Sequence, residues 1–156
     1  MMKKALFAVQ DATTRVLYGK EKQITKMSFY DCVDRRITGE EVKMGEFAGN
    51  VLLLFGAQEP GTPEEILAFV KKFDPDMDKK LVFFEKADVN GAHAREPYSF
   101  VKKILPGSDG SVDIRWNFVG KFLIDHEGTP VERSGGDPFE LKDSIEKLLQ
   151  KKESAK

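Results

Sequence analysis

Val51-Leu52-Leu53-Leu54-Phe55-Gly56-Ala57-Gln58-Glu59-Pro60-Gly61-Thr62-Pro63-Glu64-Glu65 is the stretch that decides the fold. Its first five residues are an unbroken apolar run, short enough for a strand and of the kind buried on both faces in a parallel or mixed sheet. Pro60-Gly61 closes that run. Thr62 then offers a side-chain oxygen as an N-cap, Pro63 fits the first helical position, and Glu65 completes a capping box. Ile66, Phe69, Val70 and Phe73 follow on one helical face, and Pro75 ends the helix.

Working outward, Phe29 to Asp34 reads as a strand, and Thr38-Gly39 marks a turn from which Glu41 to Met44 returns as a hairpin. Downstream, Leu81-Val82-Phe83-Phe84 is a second core strand and Val89-Asn90-Gly91 a turn. Pro97 starts a helix with Val101, Ile104 and Leu105 on one side, stopped by Pro106-Gly107. Ile114 to Asp125 is strand-like, Asp125 to Gly128 is a hairpin turn, and Val131 to Arg133 returns. Asp137-Pro138-Phe139-Glu140 repeats the cap, proline, acid pattern, and Leu141, Ile145 and Leu148 form the inward stripe of a last helix. The order strand, helix, strand, helix, hairpin, helix argues an α/β sandwich with helices on both sheet faces.

The 156 residues suit one domain. With 25 basic and 26 acidic side chains the net charge is −1, which argues against generic nucleic-acid binding through a basic surface. The longest apolar run, Val51 to Phe55, is far short of a membrane span. One cysteine, Cys32, excludes a disulfide or a two-cysteine redox cycle within the chain, and two histidines, His93 and His126, argue against a multi-His metal site. Residues 1–26 read as a flexible extension before a domain at 27–152 and a tail at 153–156, with Met27 an alternative start. Lys3 and Lys4 precede only a short apolar stretch, Ala5 to Val9, ended by Gln10 and Asp11, so a secretory signal is not expected. The segment's basic balance is that of a mitochondrial presequence, but Asp11 and Glu21 are out of keeping with one. The chain is therefore expected in the cytoplasm.

Several segments, taken in order, resemble the glutathione peroxidase family, a branch of the thioredoxin-like fold. They are Phe29-Tyr30-Asp31, Gly49 to Leu54, the Phe55 to Thr62 block, Phe84-Glu85-Lys86-Ala87-Asp88-Val89-Asn90-Gly91, and Trp116-Asn117-Phe118 followed by Lys121 to Asp125. The set covers roughly residues 28–150. The resemblance implies a central mixed sheet flanked by helices, and reduction of hydrogen peroxide or of organic or lipid hydroperoxides as part of an oxidative-stress response. Glutathione or another thiol would be the reductant, with no other cofactor. Such chemistry needs an exposed, low-pKa sulfur with N–H donors beside it. The family supplies Cys or selenocysteine, Gln, Trp and Asn, and Trp116 and Asn117 match the last two.

The first two have no match. In the family the nucleophile follows the first core strand, in a loop leading through a helix to a second parallel strand ending in Asn-Gln. Here Val51 to Leu54 runs straight into Phe55-Gly56-Ala57-Gln58, and Leu54 stands at the place of the family's Gln. By resemblance a loop–helix–strand unit on the order of 30 residues is absent. The sheet is then expected to lack one strand and one helix, leaving side chains such as Leu53, Phe69 or Phe122 exposed and self-association open through the shortened sheet. Val119-Gly120 also makes the spacing after Phe118 one residue longer than the family's.

Cys32 is read as a small buried or edge hydrophobe, with a redox thiol as the sharper alternative. The helix after the Pro-Gly-Thr block carries no resolving cysteine. His93 and His126 fall in turns and read as solvated, as do Lys71-Lys72, Lys79-Lys80 and Lys102-Lys103. The short loop Pro106 to Asp113 resembles the family's monomeric branch. The expectation is a member of this family with little or no peroxidase activity as written. The alternative is a non-catalytic splice or gene-model variant, or a pseudoenzyme that binds a partner.

Overall fold

The computed structural model describes residues 5–9 and 28–155. Among these residues there are seven strands: β1 (Ala5–Val9), β2 (Val33–Arg35), β3 (Glu41–Lys43), β4 (Leu52–Ala57), β5 (Leu81–Lys86), β6 (Lys121–Ile124) and β7 (Pro130–Ser134). The helices are α1 (Pro63–Val70), α2 (Met77–Lys80), α3 (Glu96–Ile104) and α4 (Lys142–Ser154). Five strands form one mixed sheet in the order β5-β1-β4-β6-β7, and β2 and β3 make a separate antiparallel hairpin.

The deciding stretch folds as its residues dictate. Thr62 Oγ1 accepts the Glu65 backbone N–H at 3.3 Å, Glu65 Oε2 accepts that of Thr62 at 2.7 Å, and Pro63 opens α1. Along β4 the side chains alternate between two cores. Leu52 and Leu54 join Val82, Phe84, Phe122 and Ile124 in the main core beneath Tyr98 and Val101 of α3. Ala57 joins Phe83 and Ile66 in a smaller core under α1. Burying Leu54 alone contributes about 1.5–3 kcal/mol.

The reading of residues 1–26 as an extension outside the domain is corrected over Ala5–Val9. These residues form β1, parallel to β4 with Ala5 opposite Leu53, and parallel to β5 with Ala5 opposite Leu81. Ala-Leu-Phe-Ala-Val is an apolar run of strand length, and the edges of β4 and β5 that face each other supply it with a ladder on both sides. Residues 1–4 and 10–27, including the alternative start at Met27, lie outside the described residues. β4 has neighbours on both edges, β1 and β6, and Leu53 and Phe122 are buried. Of the three side chains expected to be exposed, only Phe69 is, at 49%.

Other expectations shift locally. Phe29–Asp31 is a 3-10 turn, because Ser28 and Asp31 form a capping box ahead of β2. Phe69 and Phe73, expected on the inward face of α1, are exposed; the helix ends at Val70 and only Ile66 is buried from it. Ile104 is exposed on α3. The strand expected over residues 114–125 is confined to Lys121–Ile124. Glu153 and Ser154 continue α4 rather than starting a tail. His93 is exposed, but His126 is half-buried, since its turn packs on Tyr30, whose hydroxyl donates to the His126 carbonyl at 2.7 Å. Among the described residues no helix is long and apolar enough to cross a membrane.

Candidate functional site

β1 is parallel to β4 on one side and to β5 on the other, so the chain reverses its direction of winding around β1. Ligand clefts form beyond the carboxyl ends of strands at such a switch. A cleft of about 220 Å³ lies there, lined by the end of β4 (Gly56, Ala57, Gln58), by Val89 and Asn90, by Tyr98, and by Ile114 to Asn117.

Two anchors hold the turn that carries Trp116 and Asn117. On one side the side-chain amide of Asn90 donates to the Ile114 carbonyl at 2.7 Å and accepts the Ile114 N–H at 2.9 Å. On the other side the Phe118 N–H donates to the Gly56 carbonyl at 2.9 Å, and Asn117 Oδ1 accepts the Gln58 N–H at 2.6 Å. Phe118 adopts φ +57°, a left-handed conformation that is strained for a bulky side chain, and its ring lies 5.9 Å from that of Phe55. These contacts keep residues 114–120 out of the sheet despite their apolar character. Behind the turn, the Arg133 guanidinium donates to the Asp113 carbonyl at 3.0 Å and stacks over the Phe122 ring at 5.2 Å.

Trp116 is 66% exposed at the crest of the turn. Because the Asn117 carbonyl oxygen is taken by Gln58, its amide N–H₂ is the end left to donate. Indole and amide N–H groups together suit an oxygen rich in lone pairs or carrying negative charge. Arg115 stands at the rim, paired with Asp109. Among the described residues no carboxylate lines the cleft. Tyr98 is wholly buried in its wall, its hydroxyl has no partner among the described residues, and burial raises its pKa.

The structure thus brings Trp116 and Asn117 together and leaves Leu54 and Cys32 out. Leu54 is 2% exposed in the main core and adds no polar group to the cleft. Cys32 is fully buried in the same core, between the Phe29–Asp31 turn and β2, and does not line the cleft. Burial pushes its thiol up to about 12, with Glu96, Asp31 and Asp34 adding to the rise. A low-pKa nucleophile needs the opposite surroundings. The sequence reading missed Gln58, Asn90 and Tyr98. Asn90 was legible only as a turn residue; Gly91 does turn there, at φ +77°, while the Asn90 side chain faces inward.

No family model matches the chain. It is similar to Hydroperoxy fatty acid reductase Gpx2 of Synechocystis sp., 46% identical over 100 residues, covering 61% of this chain and 58% of that protein. It is similar to a glutathione peroxidase of Schistosoma mansoni, 36% identical over 120 residues, covering 75% of this chain and 66% of that protein. The chain spans rather more than half the length of these curated relatives. Among solved structures, the apo form of Trgpx superposes with a TM-score of 0.63 at 25% identity, covering 80% of this chain and 97% of that one.

Proposed function

Because the chain belongs to the glutathione peroxidase family and has its thioredoxin-like α/β fold, we propose that the cleft beside Trp116 is a hydroperoxide-binding site that has lost its chemistry. The observation that carries this reading is the separation of donors from sulfur. Trp116 and Asn117 are held over the end of β4, while Cys32 lies buried in the core. Orienting donors favour an anion and align a peroxide, but the covalent step belongs to the nucleophile. The ligands are hydroperoxides, organic or lipid ones included, with glutathione or a similar thiol as the family-type reductant. The chain is read as a cytoplasmic monomer.

The same reading treats the junction of Phe55 and Gly56 as the place where a loop–helix–strand unit is missing. It takes β1 as the strand that occupies the freed position beside β4. Sequencing the transcript across the codons for Phe55 and Gly56 tests that part. For the site itself, the test is peroxide-dependent thiol oxidation by the pure chain, alongside quenching of Trp116 fluorescence by an organic hydroperoxide. Saturable quenching with no turnover is expected. Turnover that survives Cys32→Ser would overturn the reading.

A second reading, a non-catalytic partner-binding protein, is favoured by the edge-to-face pair of Phe69 and Phe73 at 5.2 Å, the latter 74% exposed. Alanine at both positions leaves hydroperoxide binding unchanged under the first reading.

A further inference from the structure

We propose that Lys102 is a positioning residue for the cleft: through Asn90 it sets the main chain of Ile114, and with it the turn that presents Trp116 and Asn117. The inference rests on the reading of that cleft as the functional site. Lys102 lies on α3, one turn beyond Tyr98, and is 6% exposed. Its Nζ donates to Asn90 Oδ1 at 2.9 Å and lies 3.6 Å from the Asp113 carboxylate.

The chemistry makes this contact directional. An ammonium is a donor only, so the Asn90 oxygen has to face it. The same oxygen accepts the Ile114 N–H at 2.9 Å, which leaves the Asn90 N–H₂ to meet the Ile114 carbonyl at 2.7 Å. The reversed amide would set N–H against both the ammonium and the Ile114 N–H. Lys102 and the Ile114 main chain therefore demand the same way round for the amide, and the amide, held by the lysine, grips both main-chain groups of one residue as a neighbouring strand would. A charge-assisted bond of this kind is stronger than the neutral one that would remain without the lysine. Ile114 is further seated by Gly120, where a Cβ would come within 2.8 Å of its Cγ1. Trp116 is two residues beyond this grip, and the far side of the turn is fixed independently by Gly56 and Gln58.

The charged groups facing Lys102 are Asp113 and Arg133. Burial lowers its pKa below that of a solvated lysine, Asp113 opposes the change and Arg133 adds to it. Raising the pH should therefore discharge Lys102 ahead of the surface lysines and loosen the Asn90 grip.

The test is a nitrogen-15 NMR titration of the full chain, from neutral to alkaline pH, without hydroperoxide. Trp116 is the one tryptophan, so its indole N–H signal is unambiguous. The Asn90 side-chain amide and the Trp116 indole signals are expected to move together in one transition. In Lys102→Met both should sit near their alkaline positions already at neutral pH. In Lys102→Arg both should keep the neutral positions and lose the transition. An indole signal that stays put while the Asn90 amide titrates would overturn the proposal. So would a Lys102→Met protein that melts earlier with its indole signal unmoved. If Lys102→Met does not fold, the wild-type titration decides alone. Failure here leaves hydroperoxide binding untouched, and failure of binding leaves this result standing.

Discussion

The side-chain carbonyl of Asn117 accepts the backbone N–H of Gln58 at 2.6 Å, tying the cleft turn to the end of a core strand. Asn117→Ala removes that bond and one of the two donors assigned to the cleft. The expected loss is about 0.5–1.5 kcal/mol in a denaturant melt, with easier acrylamide quenching of Trp116. An unchanged quenching constant would show that the Phe118 to Gly56 bond holds the turn by itself.

Cys32 should behave as an inert core residue. With its thiol raised to about 12, native protein at pH 8 should resist alkylation by iodoacetamide and react fully once denatured. Cys32→Ser should lose about 1–3 kcal/mol of stability, since it places a hydroxyl in an apolar core. Rapid native alkylation would revive the redox thiol set aside above.

Asp34 and Arg95 form a buried pair at 2.7 Å, and the Arg95 Nε and Nη1 have no hydrogen-bond partner among the described residues. Asp34→Ala strands the Arg95 charge and should lose about 3–5 kcal/mol, much of it recovered by adding Arg95→Met. Burial outweighs Arg95 and raises the Asp34 pKa. The folded state then holds that proton more tightly than the unfolded one. The contribution is complete below the ordinary aspartate pKa and is lost as pH rises through the folded value. Melts on the acid side should therefore show no loss of stability traceable to Asp34. A wild-type acid limb that the double variant abolishes would contradict the sign.

Gly39 and Gly128 have nearly equal φ, +86° and +84°, but different surroundings. A Cβ at Gly39 meets open space, whereas at Gly128 it would lie 2.6 Å from Ser28 Oγ and 2.8 Å from a Tyr30 ring carbon. Gly39→Ala should lose about 1–2 kcal/mol from backbone strain alone. Gly128→Ala should lose clearly more, and equal melting temperatures would show that the Tyr30 side chain yields freely.

Leu6→Pro tests β1. A proline there removes a ladder donor from a strand paired on both edges, a position prolines do not occupy. The expected outcome is loss of the cooperative thermal transition. Wild-type melting would mean that the domain holds without this strand.

Where the code was local, the fold was legible. Thr62, Pro63 and Glu65 settle the start of α1 within four residues, and the apolar run at Val51 settles β4. Ser28 and Asp31 were equally local, but the apolar neighbours around them suggested a strand. Ile114 to Gly120 was misread because its structure depends on Asn90 and Gly56, which are distant in sequence. β1 reads in sequence as part of a flexible extension or as a targeting signal, since what makes it a strand is the pair of edges waiting on β4 and β5. Of the site, Trp116 and Asn117 were legible through the family resemblance. Asn90, Gln58 and Lys102 were not, since each acts through a main-chain group that a linear pattern does not reveal.

The central place of β1 bears on how the protein is made. β1 leaves the ribosome before β4 and β5, yet Ala5 has no partner until Leu53 emerges and lacks its second until Leu81 does. Local helices and the β2–β3 hairpin close early in synthesis, while the middle of the sheet waits for long-range pairing, the slow class of contact. A nascent chain released before β5 carries an apolar strand with one edge unpaired. Chaperones that bind extended apolar segments should therefore meet this protein at β1 and release it late.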